Sequence, residues 1–492
     1  MKIKFYGSDV AELFAKEVEE SLRGVIKYQM ITDETNENVG FASASLDGFC
    51  WGGTMWTRDA GTFLRELALW GYMKEACLAA DALMRMVDKN EDGFYTFPEY
   101  FFPGDKRSGK ELDGTAAILI GLCLIYERLG DESATKARIR DFLVCDESPV
   151  AYVFYRLDRA ELLDGSGEFG GGCGVEGSHV NVVQNNLIRL ALIAVSHFYE
   201  REGLNELSEK CAVAAKSLEK GIKKHLVGAD NCLIWCVDKD TLLPDEKILD
   251  EQVNRGTGLI NGVLTMSSDV FGLDVNKNNL PVYDEAVNTF YKLHNTPLRN
   301  ELFEKYGTWM QFDDWTPGFT GPSYGHGYAI QAMLLMDKLD LAAKALAYLA
   351  RETYEPIYNI PRTSPYYFFE RYYCPYTIEQ NAYMEVGCGA LNMVCVTEPA
   401  KIARMVAGFD FCADTPKLFP RLPDGFDGYE ASDVQILCDG RSYLADVKCE
   451  KNDGALEISI NTKGNPLPRL TLQTPSGKVE LEDVKNENII LK

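Results

Sequence analysis

A pattern of paired helices recurs six times over about the first 400 residues, and it constrains the fold more than any other feature of this chain. In each unit an amphipathic stretch leads through a long loop to a helix that is apolar around most of its circumference. A helix of the second kind must be buried by other helices. The pattern therefore predicts a mainly α-helical fold, an (α/α)6 toroid of six inner helices ringed by six outer ones.

The boundaries of the units follow from hydrophobic periodicity, because the units share no visible sequence identity. The amphipathic stretches are predicted at 9–26, 72–88, 132–163, 205–225, 283–305 and 339–353, and the apolar helices at 58–71, 116–126, 180–200, 257–267, 324–338 and 378–396. Every long loop runs from an outer to an inner helix, so all six loops are expected on one face of the toroid. A pocket would lie on that face.

The C-terminal stretch changes to a period of two. Residues 433–437, 456–460 and 469–473 alternate between apolar and polar side chains, and turn signals such as the Asn-Asp-Gly of 452–454 separate them. We predict a small β-sandwich here. The expected domains are a helical domain, 1–405, and a sandwich domain, 406–492.

Charge narrows the choice of partners. The chain of 492 residues carries a formal net charge of -24, which argues against nucleic acid and against an anionic membrane surface as partners. A neutral ligand such as a sugar is compatible with this charge. Self-association into a homo-oligomer is compatible with it as well.

Cysteine usage and the N-terminal residues indicate the compartment. The first residues lack the apolar core of a signal peptide, and no uninterrupted apolar run of about 18 residues occurs. The 14 cysteines are scattered, with no CxxC pair and no cysteine–histidine cluster of zinc spacing. These features predict a cytoplasmic protein with reduced thiols, and neither a metal nor a cofactor is expected.

Carboxylates and aromatic rings dominate the six predicted loops. Rings stack on the C–H faces of a pyranose, carboxylates accept hydrogen bonds from its hydroxyls, and two carboxylates can act as acid and base at a glycosidic bond. Phosphate-binding Gly–Lys loops and a serine nucleophile elbow are missing from the sequence. The candidate sugar-binding residues are Trp56, Arg58, Asp59, Glu99, Asp113, Trp315, His326 and Tyr376.

Structural roles remain open for some of these residues. Arg58 and Asp59 end the first loop, where an Arg–Asp pair commonly forms a salt bridge and an aspartate suits the start of a helix. His326 stands at the start of an inner helix and could equally be a core histidine that bonds a backbone carbonyl.

The helical alternation and the C-terminal sandwich together resemble the six-hairpin glycosidases. Within that plan, the segment Trp56-Thr57-Arg58-Asp59 looks like the W-x-R-D segment of glucoamylase-type enzymes. The plan is also similar to that of α-L-rhamnosidases and other exo-acting relatives, whose small C-terminal sandwich resembles residues 410–492. The resemblance implies that Arg58 and Asp59 hold a terminal sugar and that Trp56 forms a wall of the pocket.

The same resemblance implies that the catalytic carboxylates lie in the third and sixth loops. We favour Glu176, which lies beside a helix start, and Glu379. Asp314 is a rival acid, because a pocket lined by Trp315 could raise the pKa of its carboxyl group. The alternative for each carboxylate is a helix cap, a turn cap or a solvated charge. The other glutamates of the two loops, ranked below these, are Glu168, Glu370 and Glu385.

The expected function is an exo-acting glycoside hydrolase that removes a terminal sugar by carboxylate acid/base catalysis. Two kinds of alternative stay open. One is a uronic-acid-directed glycosidase, a polysaccharide lyase or a glycoside phosphorylase on the same toroid. The other is a non-catalytic carbohydrate-binding protein, whose loop carboxylates would not converge.

Overall fold

Helices account for most of the computed structural model, which describes residues 1–32, 38–43, 53–102, 105–107, 112–165, 179–244, 259–307, 324–354, 393–410, 416–474 and 477–491. In chain order they are α1 Asp9–Tyr28, α2 Thr57–Leu69, α3 Met73–Met86, α4 Leu112–Arg128, α5 Ala134–Val144, α6 Pro149–Leu157, α7 Val182–Arg201, α8 Asn205–His225, α9 Gly262–Phe271, α10 Tyr283–His294, α11 Pro297–Tyr306, α12 Tyr324–Leu335, α13 Leu339–Tyr354 and α14 Met393–Ala407. A short 3-10 helix, Leu259–Asn261, precedes α9.

The helices form two concentric layers. Helices α2, α4, α7, α9, α12 and α14 pack each against the next, and α14 packs back against α2, so the inner ring is closed. Outside them α3 and α5 pack on α2 and α4, α8 on α7, α10 on α9, α13 on α12, and α1 on α14. The predicted (α/α)6 toroid is confirmed.

Glycines allow the inner helices α2 and α4 to approach closely. A Cβ atom at Gly61 would lie 2.7 Å from the backbone of Ala117, and a Cβ at Gly121 would lie 2.9 Å from the side chain of Leu64. Because the contacts advance together along both helices, α2 and α4 run parallel. Their N-terminal ends therefore lie at the same end of the toroid, where the first two loops arrive.

The sixth inner helix extends past its predicted end. The hydrophobic pattern predicted 378–396, whereas α14 continues to Ala407, with Pro399 inside it. Residues 378–392 lie outside the described part of the chain. Proline lacks the N–H of a helical hydrogen bond and disfavours a helix interior, so the sequence pattern predicted an end before Pro399. Burial of residues 397–407 against the other inner helices outweighs that local preference.

The β-strands form two larger sheets in the C-terminal region and smaller sheets among the loops of the toroid. The strands are β1 Lys2–Tyr6, β2 Met30–Thr32, β3 Asn38–Phe41, β4 Met55–Trp56, β5 Asp88–Lys89, β6 Tyr95–Thr96, β7 Tyr100–Phe102, β8 Asp105–Arg107, β9 His179–Asn181, β10 Cys236–Asp238, β11 Phe409–Asp410, β12 Lys417–Leu418, β13 Gly428–Cys438, β14 Arg441–Asn452, β15 Ala455–Lys463, β16 Leu467–Thr474, β17 Gly477–Val484 and β18 Asn486–Leu491. A five-stranded sheet of order β1-β13-β14-β15-β18 contacts a four-stranded sheet of order β11-β12-β16-β17. The predicted sandwich is confirmed.

The first strand of the chain belongs to this sandwich. Strand β1 pairs antiparallel with β13, from Lys2 opposite Ser432 to Tyr6 opposite Gly428. The predicted boundary assigns these residues to the helical domain, because a five-residue strand at a chain end gives little pattern. The chain therefore passes between the sandwich and the toroid twice, once after β1 and once after α14. The predicted boundary between residues 405 and 406 describes only the second passage.

An aromatic cluster joins the sandwich to the toroid. The Phe5 ring lies 5.5 Å from that of Phe426 and 5.8 Å from that of Phe14 on α1. The hydroxyl of Tyr429 donates a hydrogen bond of 2.8 Å to the carbonyl oxygen of Ala407 at the end of α14. All of these rings are fully buried, so the sandwich extends the hydrophobic core of the toroid.

A network of buried ion pairs crosses the centre of the toroid. Arg65 on α2 contacts Asp269 on α9, three places away around the ring, with 2.5 Å between Nη1 and Oδ2. Lys401 on α14 lies 2.7 Å from the other oxygen of Asp269. Arg404 binds Glu66 through two nitrogens, at 2.6 and 3.0 Å. The pairs tie α2, α9 and α14 together across the axis.

Burial and charge act in opposite directions on the acids of this network. Burial disfavours the charged form of Glu66, but Arg404 and Arg65 outweigh it and lower the pKa of that carboxyl. Burial raises the pKa of Glu398 on α14 to about 8, against the opposing effects of Lys401 and Arg65. The amide of Gln331 on α12 donates a hydrogen bond to Glu398, which brings a fourth inner helix into the network.

Substitution of Glu398 by Gln is expected to change how stability depends on pH. The folded-state pKa of Glu398, about 8, lies above its ordinary value of 4.5. Between these values the folded state holds a proton that the unfolded state has lost, so stability falls as pH rises, by at most about 1.4 kcal/mol per pH unit. Chemical denaturation of Glu398→Gln from pH 5 to 8 should show a shallower fall than wild type. An unchanged slope would contradict the assigned protonation.

Candidate functional site

A small sheet ties the first two predicted loops together at the mouth of the toroid. Strand β4 pairs with β7, so that Trp56 stands opposite Tyr100, and their rings are 5.2 Å apart. The Thr57 hydroxyl donates to the carbonyl oxygen of Pro98 at 2.7 Å, and the Thr57 amide donates to that of Glu99 at 3.2 Å. The second loop therefore fixes the position of the first residue of α2 through these hydrogen bonds.

Arg58 lies between two carboxylates at this point. Its Nε is 3.5 Å from Asp59 Oδ1, and its Nη1 is 3.9 Å from Asp113 Oδ2 at the start of α4. Arg58, Asp59 and Asp113 are 9%, 5% and 0% exposed. The three side chains form a compact charged cluster at the starts of α2 and α4. Guanidinium donors and carboxylate acceptors are groups that can bind hydroxyls.

The start of α4 is shaped by the close approach of Gly114. Asp113 Oδ1 accepts a hydrogen bond of 2.7 Å from the Gly114 amide, which turns that carboxylate toward the helix start. A Cβ at Gly114 would lie 2.6 Å from Thr57 Oγ1 and 3.0 Å from the Arg58 amide nitrogen. The absence of a side chain at this glycine allows Asp113 to approach Arg58.

His326 lies elsewhere on the ring. It sits in the first turn of α12, which α14 separates from α2. The His326 Nε2 donates a hydrogen bond of 3.0 Å to the carbonyl oxygen of Ala345, and its ring lies 5.4 Å from that of Tyr348. Burial lowers the pKa of His326 to about 4. These contacts correspond to the core alternative stated for His326, and its predicted contact with a sugar stays a prediction.

The structure brings together the predicted binding residues of the first two loops. These are Trp56, Arg58, Asp59, Glu99 and Asp113. The predicted catalytic carboxylates Glu176, Glu379 and Asp314, and the predicted binding residues Trp315 and Tyr376, lie outside the described residues. Their roles stay predictions.

Sequence reasoning missed a set of buried amide side chains in the first turn of α7 and at the residue that caps it. Asn181, Gln184 and Asn185 are all fully buried and hydrogen-bonded to backbone groups at the start of the third inner helix. The signal was present, because three consecutive amides, residues 184–186, interrupt a helix that was predicted to be apolar. Buried polar side chains in such a helix need partners.

A cavity of about 890 Å³ lies away from the mouth of the toroid. Its walls are α1, the residues after α2 and the five-stranded sheet, including Val18, Trp70, Val447 and Ile460. It is an interdomain cavity and does not include the Arg58 cluster. In the described part of the chain, no group of three or more His, Cys, Asp or Glu side chains could hold a metal ion.

Within the described ranges, no helix is both long enough and apolar enough to cross a lipid bilayer.

Sequence comparison gave no relative. No protein-family model matches the chain, and no curated protein matches it.

Comparison with solved structures identified the fold. A GH78 family rhamnosidase of Bacillus sp. GL1 superposes with a TM-score of 0.60 at 13% identity, over 96% of this chain and 43% of that one. An α-L-rhamnosidase of Streptomyces avermitilis, complexed with L-rhamnose, has a TM-score of 0.56 at 12% identity, over 100% of this chain and 42% of that one. A putative kojibiose phosphorylase from the human microbiome gives 0.52 at 11% identity, over 100% and 67%.

These similarities confirm the fold that the sequence predicted. The chain shares its six-hairpin architecture with these solved structures. It spans less than half the length of the two rhamnosidases. At 11–13% identity the comparison concerns architecture.

Replacing His326 by Gln is expected to reduce acid sensitivity. The folded-state pKa of His326, about 4, lies below its ordinary value of 6.5. Between these values the unfolded state binds a proton that the folded state does not, so stability falls as pH falls, by at most about 1.4 kcal/mol per pH unit. Thermal unfolding of His326→Gln between pH 4.5 and 7 should show a shallower decline. A parallel decline in both proteins would contradict this prediction.

Adding a methyl group at Gly114 should separate the starts of α2 and α4. The new Cβ would collide with Thr57 and the Arg58 backbone, so Gly114→Ala is expected to lower the free energy of unfolding by about 1–3 kcal/mol. A Cβ at Gly477 would have no atom within 4 Å, so that glycine provides the control. Urea denaturation should show Gly477→Ala close to wild type, and equal effects of the two variants would argue against the close approach.

Proposed function

We propose that the protein is an exo-acting glycoside hydrolase that removes a terminal neutral sugar from oligosaccharides or glycosides. The observation that carries the proposal is the position of Arg58 between Asp59 and Asp113, beside the rings of Trp56 and Tyr100, at the loop face of a six-hairpin toroid. We further propose that it acts in the cytoplasm on imported substrates. An oligosaccharide or glycoside is its expected partner.

The chemistry of the cluster favours a polyhydroxylated ligand. A guanidinium group presents several N–H donors in a fixed fork, and carboxylates accept from hydroxyl groups. A sugar ring offers both kinds of hydroxyl partner and an apolar C–H face for an aromatic side chain. Because Arg58 is already paired with two carboxylates, the cluster suits a neutral sugar better than a uronate.

Rigidity supports a binding role. Arg58 and Asp59 lie in the first turn of α2, Asp113 lies in the first turn of α4, and the β4–β7 pairing restrains the segment before α2. Side chains mounted on packed helices lose little further freedom when a ligand binds, so less of the interaction energy is spent on ordering them. The first two loops would thus supply a preformed subsite.

We place the proton transfers on loops three and six. Glu176 and Glu379 would act as the pair, one protonating the glycosidic oxygen and the other assisting the attack, with Asp314 as the rival acid. A carboxyl separation of about 6.5–9.5 Å would give inversion through a directly attacking water, and about 5–5.5 Å would give retention through a covalent intermediate. Helix α14, which follows the predicted sixth loop in the chain, packs beside α2.

A glycoside phosphorylase is the second candidate. It is favoured by the structural similarity to the putative kojibiose phosphorylase, which extends over all of this chain. In such an enzyme phosphate replaces water as the attacking group, so the product is a sugar phosphate instead of a free sugar. Assays with and without inorganic phosphate separate the two reactions.

The test is a screen of aryl glycosides, namely α-glucoside, α-rhamnoside and β-glucuronide, with and without phosphate. Wild type should release a free sugar from a neutral glycoside. Substitution of a true acid or base by its amide, in Glu176→Gln, Glu379→Gln or Asp314→Asn, should lower kcat by about 10²- to 10⁴-fold. Glu480→Gln, on an exposed strand of the sandwich, serves as the control and should retain wild-type rates.

Each other outcome points to a different conclusion. Wild-type rates in all three amide variants would show that the catalytic assignment is wrong. Phosphate-dependent release of a sugar phosphate would identify a phosphorylase. Preferential cleavage of the glucuronide would indicate a uronic-acid-directed enzyme, and elimination from a uronate polymer would indicate a lyase. Binding of sugars without any turnover would indicate a non-catalytic protein.

A further inference from the structure

One side chain holds the chain on both sides of the third loop. Asn185, in the first turns of α7, accepts a hydrogen bond of 2.9 Å from the Leu163 amide through Oδ1. Its Nδ2 donates to the carbonyl oxygen of Leu163 at 2.9 Å and to that of Asn181 at 2.9 Å. Leu163 precedes residues 166–178 and Asn181 follows them, so one amide bridges the two ends of that segment.

Neighbouring groups reinforce the bridge. Gln184 Nε2 donates to the same Leu163 carbonyl at 3.1 Å, and a Cβ at Gly165 would lie 2.4 Å from the Gln184 amide oxygen. Before the segment, Arg156 Nη2 contacts Asp164 Oδ1 at 2.6 Å. After it, strand β9 pairs with β10 and brings Asn181 opposite Cys236. The backbone on each side is thus held by hydrogen bonds and, before the segment, also by a partly buried ion pair.

The pattern of bonds is specific to an asparagine. Asn185 uses its acceptor and its donor group on the N–H and the C=O of one residue, Leu163, and its donor group also on the C=O of a second residue, Asn181. An alanine would lose every one of these bonds, and an aspartate would keep the acceptor but face two carbonyl oxygens without a donor. Asn185 is fully buried, so water would not readily replace the lost partners.

We propose that Asn185 is a positioning residue of the candidate site, which sets the two ends of the third loop relative to α7. The role assigned to the loop, presentation of Glu176 to the glycosidic bond, rests on the proposed function. Joining the ends of a loop removes much of the conformational freedom of the residues between them. A displacement of about 1 Å in a reacting group can cost about 10²-fold in rate, so loosening the ends should reduce turnover more than binding.

The adjacent residue provides a matched control. Asn186 is also an asparagine, is 1% exposed and lies on the same helix. Its Nδ2 donates to the Val263 carbonyl oxygen at 3.2 Å and to Ser267 Oγ at 3.4 Å, both on α9. Asn186 therefore joins two inner helices and makes no described contact with Leu163 or Asn181. Its substitution disturbs the core without releasing the loop ends.

The experiment compares full-length Asn185→Ala, Asn185→Asp and Asn186→Ala with wild type. Hydrogen exchange, read from peptides that cover residues 159–165, reports the Leu163 amide directly. We expect the amide to exchange at least about tenfold faster in Asn185→Ala than in wild type, because its acceptor is gone. Asn185→Asp keeps the size of the side chain and guards against a failure of Asn185→Ala to fold. Asn186→Ala should leave this exchange within about twofold of wild type.

Kinetics on the glycoside cleaved by wild type supply the second readout. Both Asn185 variants should lose about 10- to 100-fold in kcat with KM within about threefold, while Asn186→Ala keeps kcat within about threefold. Unchanged exchange at Leu163 in Asn185→Ala would overturn the bridge itself. Faster exchange with unchanged kcat, or equal losses of kcat in Asn185→Ala and Asn186→Ala, would overturn the positioning role.

Failure of the proposed function gives a different result. If wild type cleaves no glycoside while Asn185→Ala still speeds exchange at Leu163, the loop-end bridge stands. The assignment of Glu176 and the positioning role fail together in that case. If wild type is active but Glu176→Gln retains full rate and the Asn185 variants do not, the loop acts through another residue, and the positioning role survives without that carboxylate.

Discussion

The ion pair between Arg65 and Asp269 spans the axis of the toroid, and the arrangement of the inner helices depends on it. A ring of six helices leaves a central space that apolar side chains must fill or polar ones must cross. Here the crossing is made by charges on α2, α9 and α14, all buried. Removing one partner of such a pair leaves an unpaired buried charge, which is strongly destabilising. The network therefore favours one relative placement of the helices over others of similar packing.

That placement has consequences at the other end of the same helices. Helix α2 carries Arg65 and Glu66 toward its C-terminal end and Arg58 and Asp59 in its first turn. Because α2 is rigid and is held at its base by ion pairs, and at its start by the second loop, the Arg58 cluster has a fixed position at the mouth. Asn185 plays a comparable part on α7, where it joins the base of a loop to the helix.

Much of the architecture could be predicted from the sequence because the burial of helix faces produces a periodic spacing of apolar residues. The predicted outer stretches 132–163 and 283–305 each divide into two helices. Helix α14 extends beyond its predicted end, because Pro399 interrupts the local sequence pattern but not the helix itself. Strand β1 was missed because its partner, β13, lies more than 400 residues away. Of the candidate site, the pairing of Arg58 with Asp59 is local, but the approach of Asp113 depends on glycine contacts between helices.

By itself, the sequence determined the two-layer helical plan, the C-terminal sandwich and the loop that carries Arg58 and Asp59, because each of these depends on patterns within a short stretch. Tertiary structure alone decided which charges meet across the axis, how closely α4 brings Asp113 to Arg58, and that Asn185 joins two distant backbone segments. Those contacts link residues far apart in the chain. The energies of these ion pairs and hydrogen bonds depend on the burial of the side chains and on the distances between them, and neither quantity can be read from a single sequence.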